Sequence, residues 1–215
     1  MAEPIDLWVQ RLRTIARPAL VGTPLIVPEQ FSVERRAAWI DEFEDEYGTR
    51  TAIDGFLVAL AMNMPWGSAD HAPDDVCTML WRRLAAGRCG GVDELAGMPP
   101  PIAANPDEWA LEHETHKELA AVHALWFHAR RNEKLLGVLD AAESWLIANV
   151  QPDNATCHPW AVHAFAARAQ RLSGTREGDE ALLYAEQLLH NCLVARGRPD
   201  RRSAVILWHA AQAFE

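Results

Sequence analysis

Little in this sequence points toward a membrane, a nucleic acid or a disulfide framework. Its four cysteines, Cys77, Cys89, Cys157 and Cys192, include no pair at CxxC spacing. Neither a disulfide scaffold nor a thiolate zinc site is therefore expected. Basic charge is scarce: 20 Lys and Arg face 30 Asp and Glu, a net charge of −10. Binding phosphates by counterion release needs the reverse balance, so nucleic acid is not an expected partner. The one basic cluster, Arg196, Arg198, Arg201 and Arg202, is interrupted by Asp200 and reads as a solvated turn. The longest clean apolar run, Phe56 to Met62, is too short to span a bilayer. Met1-Ala2-Glu3-Pro4 carries no basic n-region and no apolar h-region. These absences predict a cytoplasmic protein with reduced thiols and no membrane partner.

Strand signals are also nearly missing. Residues 20–28 are apolar, but Gly22, Pro24 and Pro28 break them into an extended linker. No GxSxG, GxGxxG or P-loop pattern occurs, so no cofactor is implied. What the chain does have is apolar residues at helical spacing, 49% hydrophobic overall and including nine Trp. That predicts an all-α fold. Helices are expected at 4–16, with Ile5, Leu7, Trp8, Leu12 and Ile15 inward, and at 33–47, 51–64 and 73–87. The second of these pairs an apolar stripe (Ala37, Ile40, Phe43, Tyr47) with a solvated acidic face from Asp41 to Glu46. Residues 88–106 hold three Gly and four Pro, including Pro99-Pro100-Pro101. They suggest a helical cluster over 1–98, a Pro-rich linker over 99–106 and a second region over 107–215, integrated into one domain. Further helices are expected at 107–130, 133–150, 157–172, 178–196 and 201–214.

The second region contains a repeat. Ala121-Val122-His123-Ala124-Leu125 returns forty residues later as Ala161-Val162-His163-Ala164-Phe165, and Ala204-Val205 begins a weaker third copy. The intervening helices match at an offset of 43: Leu139 with Leu182, Ala142 with Ala185, Glu143 with Glu186 and Leu146 with Leu189. A period of this length in helical sequence indicates stacked α-hairpins. It sets His123 and His163 at equivalent positions, side by side if the helices run parallel. His116 and Phe127 share a helix face with His123, and Trp160 shares one with His163. A second apolar face on these helices fits either a ligand wall or a core of satisfied imidazoles. His113 and His116 stand at i, i+3, one residue short of the HExxH spacing, so no metal is assigned. Cys157-His158 falls at a predicted helix start, where the dipole would lower the thiol pKa.

The stretch Pro159-Trp160-Ala161-Val162-His163-Ala164-Phe165, Arg171-Leu172-Ser173-Gly174 and Glu180 to Leu189 resembles one hairpin of an α/α toroid, as in N-acylglucosamine 2-epimerases and six-hairpin glycosidases. The resemblance covers residues 110–215. It implies alternating inner and outer helices, with ligands at the mouth formed by the loops before the inner helices. Those loops would hold Asp153, Asn154, His158, Asp200 and Arg202. A complete six-hairpin ring is longer than this chain, so a partial toroid or an α-solenoid is expected, and no catalytic residue carries over. A shorter match, Asp54-Gly55-Phe56-Leu57-Val58-Ala59-Leu60 followed by Pro65, is similar to a helix of the all-α YecA-like proteins. The leading functional expectation is a binding domain that uses the concave face of the hairpins for a protein partner or a small polar ligand. The candidate residues are His116, His123, Phe127, Asp153, His158, Trp160 and His163. The alternatives are a toroid-like enzyme acting on a carbohydrate or other small polar substrate, and a helical metal-binding protein.

Overall fold

A computed structural model describes residues 4–66, 75–87, 92–105, 111–152 and 157–215. Those residues form nine α-helices and no strand. They are α1 (Ile5–Leu20), α2 (Val33–Asp41), α3 (Asp54–Ala61), α4 (Val76–Ala85), α5 (Leu111–Ala129), α6 (Leu136–Asn149), α7 (Val162–Arg171), α8 (Arg176–Val194) and α9 (Arg201–Gln212). No helix among them is long and apolar enough to cross a membrane.

Side-chain caps set several of the helix starts. Ser32, Asp75, Thr175 and Asp200 each accept the N–H three residues on, which satisfies one of the donors a helix start leaves open. Among the described residues, three boundaries differ from the sequence reading by four residues or more. α1 continues through Pro18 because Trp8, Leu12, Ala16 and Leu20 form one buried i+4 stripe, while Leu7, expected inward, is exposed. α2 stops at Asp41, since Asp45 turns the chain by accepting from Tyr47 N and Thr49 N at 2.9 and 2.8 Å. Tyr47, expected on the apolar stripe, is exposed and takes Arg196 on its hydroxyl at 2.7 Å. α7 starts at Val162, five residues later than expected, because Ala161 is left-handed, with φ at 58°. The expected start of the fourth helix at residue 73 and of the fifth at 107 lie outside the described residues.

The acidic run and the basic cluster, both read as solvated, meet each other. Glu46 pairs with Arg196 and, at 3.2 Å, with Arg198. Arg202 is buried between Asp45 at 3.1 Å and Asp54 at 3.0 Å. Opposite charges far apart in sequence thus tie α9 to the chain before α3. The Pro-rich stretch is tied down as well. Buried Glu118 of α5 accepts the N–H groups of Ile102, Ala103 and Ala104 at 2.8, 2.7 and 3.0 Å. Glu114 accepts that of Asn105 at 2.7 Å. One apolar core runs from Trp8 to Ala213 across both halves.

The order of contacts fixes helix direction. His116, His123 and Trp126 of α5 meet His158, His163 and again His163 at the α7 side. His158, His123 and Trp126 meet Ser203, His209 and Phe214 at the α9 side. Residue numbers rise together, so α5, α7 and α9 run parallel. The hairpin from α7 to α8 is antiparallel: Phe165 stacks on Tyr184 at 4.3 Å, while Gly178 meets the end of α7. A Cβ at Gly178 would lie 2.2 Å from the Leu172 carbonyl oxygen. Gly178→Ala should therefore destabilise the protein by about 2–3 kcal/mol despite its better helix propensity, because the obstacle is backbone. Urea unfolding of the variant checks this, and an unchanged midpoint would mean the two helices separate at no cost.

Packing also runs in a circuit, from α3 to α4, α5, α7, α9 and back to α3, with α1 against α9. The circuit brings N-terminal helices against the repeat and encloses its inner face.

Candidate functional site

Three places carry polar chemistry, and they differ in what reaches solvent. The first is the centre of the helix circuit. His123 of α5 and His163 of α7 lie with ring centroids 4.2 Å apart. Phe127 is 5.2 Å from His163, and Trp160 is 5.6 Å from His123. His209 of α9 and Trp81 of α4 complete the cluster at 5.2 Å each from His123. The repeat aligned Ile206 with His123; His209, one helical turn further on, is the residue that arrives.

The bonding in this cluster assigns its protons. The Ala161 N–H donates to His123 Nδ1 at 3.2 Å, so that nitrogen carries no hydrogen. His123 Nε2–H then donates to His209 Nδ1 at 3.0 Å. The left-handed Ala161 is thus held by an imidazole. Neither nitrogen of His163 has a hydrogen-bond partner. The His123 carbonyl favours protonation of that ring, but it lies outside hydrogen-bonding geometry. His123 and His163 are 0% exposed and His209 is 3% exposed. Burial drives the pKa of His123 and His163 far down, reinforced by the neighbouring imidazoles, and that of His209 to about 3. All three are neutral at pH 7. The expected ligand wall is here a sealed core: Trp81 of α4 closes over the second face that the sequence left open.

The second place is the loop end before α7 and α9. His158 Nδ1 lies 2.9 Å from Ser203 Oγ, and Ser203 donates to Asp200 Oδ2 at 2.9 Å. Because the hydroxyl proton goes to Asp200, His158 Nδ1–H donates to Ser203. A nucleophile relay needs the imidazole between hydroxyl and carboxylate. Here the hydroxyl is in the middle, and Asp200 also caps α9, so the trio braces the α9 start. His116 lies over His158, with centroids 5.3 Å apart, and has an unpartnered buried Nε2. Burial lowers the pKa of His116 to about 4, with His158 and His113 adding to the shift. Burial also lowers that of His158, against the pull of Asp200. Arg202, expected to face a ligand, spends its guanidinium on Asp54, Asp45 and the Thr49 carbonyl. The Cys157 thiol is not at a helix start. Partial burial and Asp200 raise its pKa, the reverse of the expected activation. Asp153 lies outside the described residues. Among the described residues, no group of three or more His, Cys, Asp or Glu is placed to hold a metal.

The third place had no sequence signal. A cleft of about 870 Å³ opens between α6, the buried Arg168 of α7 and α8. Ile147, Val150 and Leu183 give it apolar sides, with Gln151, Glu180 and Gln187 at its edges. Arg168 donates to Asp140 Oδ1 at 2.8 Å, Glu143 Oε2 at 3.1 Å and Ser144 Oγ at 2.8 Å, but its buried Nε–H has no acceptor. The Tyr184 hydroxyl is likewise buried and unpartnered, as is Glu143 Oε1 behind Arg168. Burial raises the Tyr184 pKa, and it raises that of Glu143 to about 7 against Arg171 and Arg168. Native structures leave few buried polar atoms without partners, so two on lining residues, Arg168 and Tyr184, mark this cleft, with Glu143 behind them. These residues come from three helices and follow no motif. Only the Glu143–Glu186 match in the repeat touched them, and it did so as architecture.

Comparison with protein families, characterised proteins and solved structures returned no match.

Proposed function

We propose that this chain is a non-catalytic binding domain whose ligand seat is the cleft between α6, α7 and α8. The observation that carries the reading is a cleft of about 870 Å³ in which buried Arg168 and Tyr184 keep hydrogen-bonding atoms unpartnered. Ligand sites are concave, mostly apolar, and carry a few convergent polar groups, in volumes of roughly 300–1,000 Å³. The seat is on the outer helices, not on the enclosed face that bears His123 and His163. The parallel α5, α7 and α9, with α6 and α8 outside them, favour reading the second half as a partial α/α toroid with its centre filled by side chains. Free thiols at Cys77, Cys157 and Cys192 suit a reducing, cytoplasmic setting.

The test is a fragment screen by NMR on the isotope-labelled chain. Hits should perturb amides in residues 144–151 and 176–187. Leu183 is 68% exposed at the cleft, so Leu183→Arg should abolish those hits while changing stability by less than about 0.5 kcal/mol. Hits that gather instead around His116 and His158 would sink the assignment.

A further inference from the structure

The orphan atoms of the cleft define what it would hold. Of the lining residues, Arg168 offers a donor and Tyr184 a hydroxyl that can donate or accept. An empty water pocket does not account for them. A water occupies about 30 Å³, against a cleft of about 870 Å³ with apolar sides. A purely hydrophobic ligand would leave both atoms dry, at a cost for each.

Charge narrows the choice further. Arg168 is balanced by Asp140 at 2.8 Å and Glu143 at 3.1 Å, and Arg176 by Glu180 at 2.8 Å. Glu177 adds a further carboxylate at the cleft. An anion would therefore meet Glu177 and Glu180 beside an Arg168 already paired with two carboxylates. A cation would have to displace Arg168 from its partners. An anion finds no unbalanced positive charge, and a cation would otherwise find only exposed Glu177, in the first turn of α8 where the helix dipole opposes it.

We infer that the cleft takes a small neutral molecule carrying adjacent hydrogen-bond donor and acceptor groups on an apolar body, as a primary amide or an alcohol does. The polar end meets Arg168 and Tyr184, and the apolar body lies along Ile147, Val150 and Leu183. This rests on the binding reading above.

Four isosteric probes test it on the full chain by NMR titration: benzamide and benzyl alcohol as the neutral donor–acceptor arms, benzoate as the anion and benzylammonium as the cation. Benzamide, benzyl alcohol or both should bind at residues 144–151 and 176–187 at least tenfold more tightly than either ion. Which of the two binds better separates an amide from a hydroxyl ligand. Tyr184→Phe should weaken the better neutral probe about tenfold, the loss of one hydrogen bond at about 1.4 kcal/mol per decade. Because that hydroxyl has no partner within the protein, the variant keeps its fold, as a thermal melt would verify. An ion binding in the cleft as well as benzamide would overturn the ligand class and leave the cleft as a ligand seat. Toluene binding equal to benzamide, or no loss in Tyr184→Phe, would do the same. No probe at the cleft would overturn both readings.

Discussion

Acidification from pH 7 to about pH 5 should unfold this protein cooperatively. His123, His163 and His209 are enclosed and neutral in the folded chain, with pKa values held far below the ordinary 6.5. In the unfolded chain each takes up a proton below about pH 6.5. The unfolded state then binds more protons than the folded one, so stability falls with falling pH. The contribution is fully present above 6.5 and is lost as pH drops from 6.5 toward the depressed folded values. At pH 5 each of the three costs about 2 kcal/mol, at 1.36 kcal/mol per pH unit. His116, with its pKa near 4, acts in the same direction. Glu143, raised to about 7, and Glu118, also raised by burial, work against them by taking up protons in the folded state. Glu143 returns roughly 2 kcal/mol over this range, leaving a net loss of about 4 kcal/mol or more. That approaches the whole stability of a small domain, roughly 5–15 kcal/mol. Arg13 also disfavours a charged His209, adding to the effect of burial. Circular dichroism at fixed temperature across pH 7 to 4 measures the transition. A flat signal down to pH 4.5 would show that the cluster admits water or protons without unfolding.

The path to that cluster was half legible in the sequence. The forty-residue repeat predicts parallel α5 and α7 and sets His123 beside His163 with Phe127 and Trp160. It does so because equivalent positions on stacked helices face each other. The repeat is silent on what covers that face. Trp81, whose indole N–H bonds the Ala120 carbonyl at 2.9 Å, comes from α4, outside the repeat. Whether an apolar second face lines a ligand site or a core depends on such non-local packing, which helical periodicity does not encode. The α7 boundary failed for a different reason. Ala161 gives no sign of a left-handed turn, and the His123 bond that holds it spans 38 residues. The cleft was invisible because Arg168 and Tyr184 sit on ordinary helical positions. Their distinction is an unsatisfied atom, a property of three-dimensional packing alone.

The two matched histidines should respond oppositely to substitution, and this contrast separates their roles. His123 is fully bonded: Nδ1 takes the Ala161 N–H and Nε2–H gives to His209. His123→Ala opens a cavity and strips partners from a buried amide and a buried imidazole. Truncation of a large core residue costs about 2–5 kcal/mol, and each orphaned group adds about 1–3 kcal/mol. Since such terms overlap, the expected loss is about 4–6 kcal/mol. Ala161 would also lose the bond that holds its left-handed turn, so α7 should fray at its start. His163, by contrast, already leaves both nitrogens unpartnered in an apolar setting of Trp126 and Phe127. Replacing an unsatisfied polar ring with an apolar side chain of similar size removes a desolvation cost and no hydrogen bond. His163→Leu should therefore be neutral or stabilising by about 1 kcal/mol. It should also flatten the acid transition, because one of the three buried bases is gone. Chemical unfolding of both variants at pH 7 and pH 5.5 reads all of this at once. If His163→Leu were destabilised as much as His123→Ala, the His163 ring would have to hold partners, such as a buried water, and the two imidazoles would share one structural role.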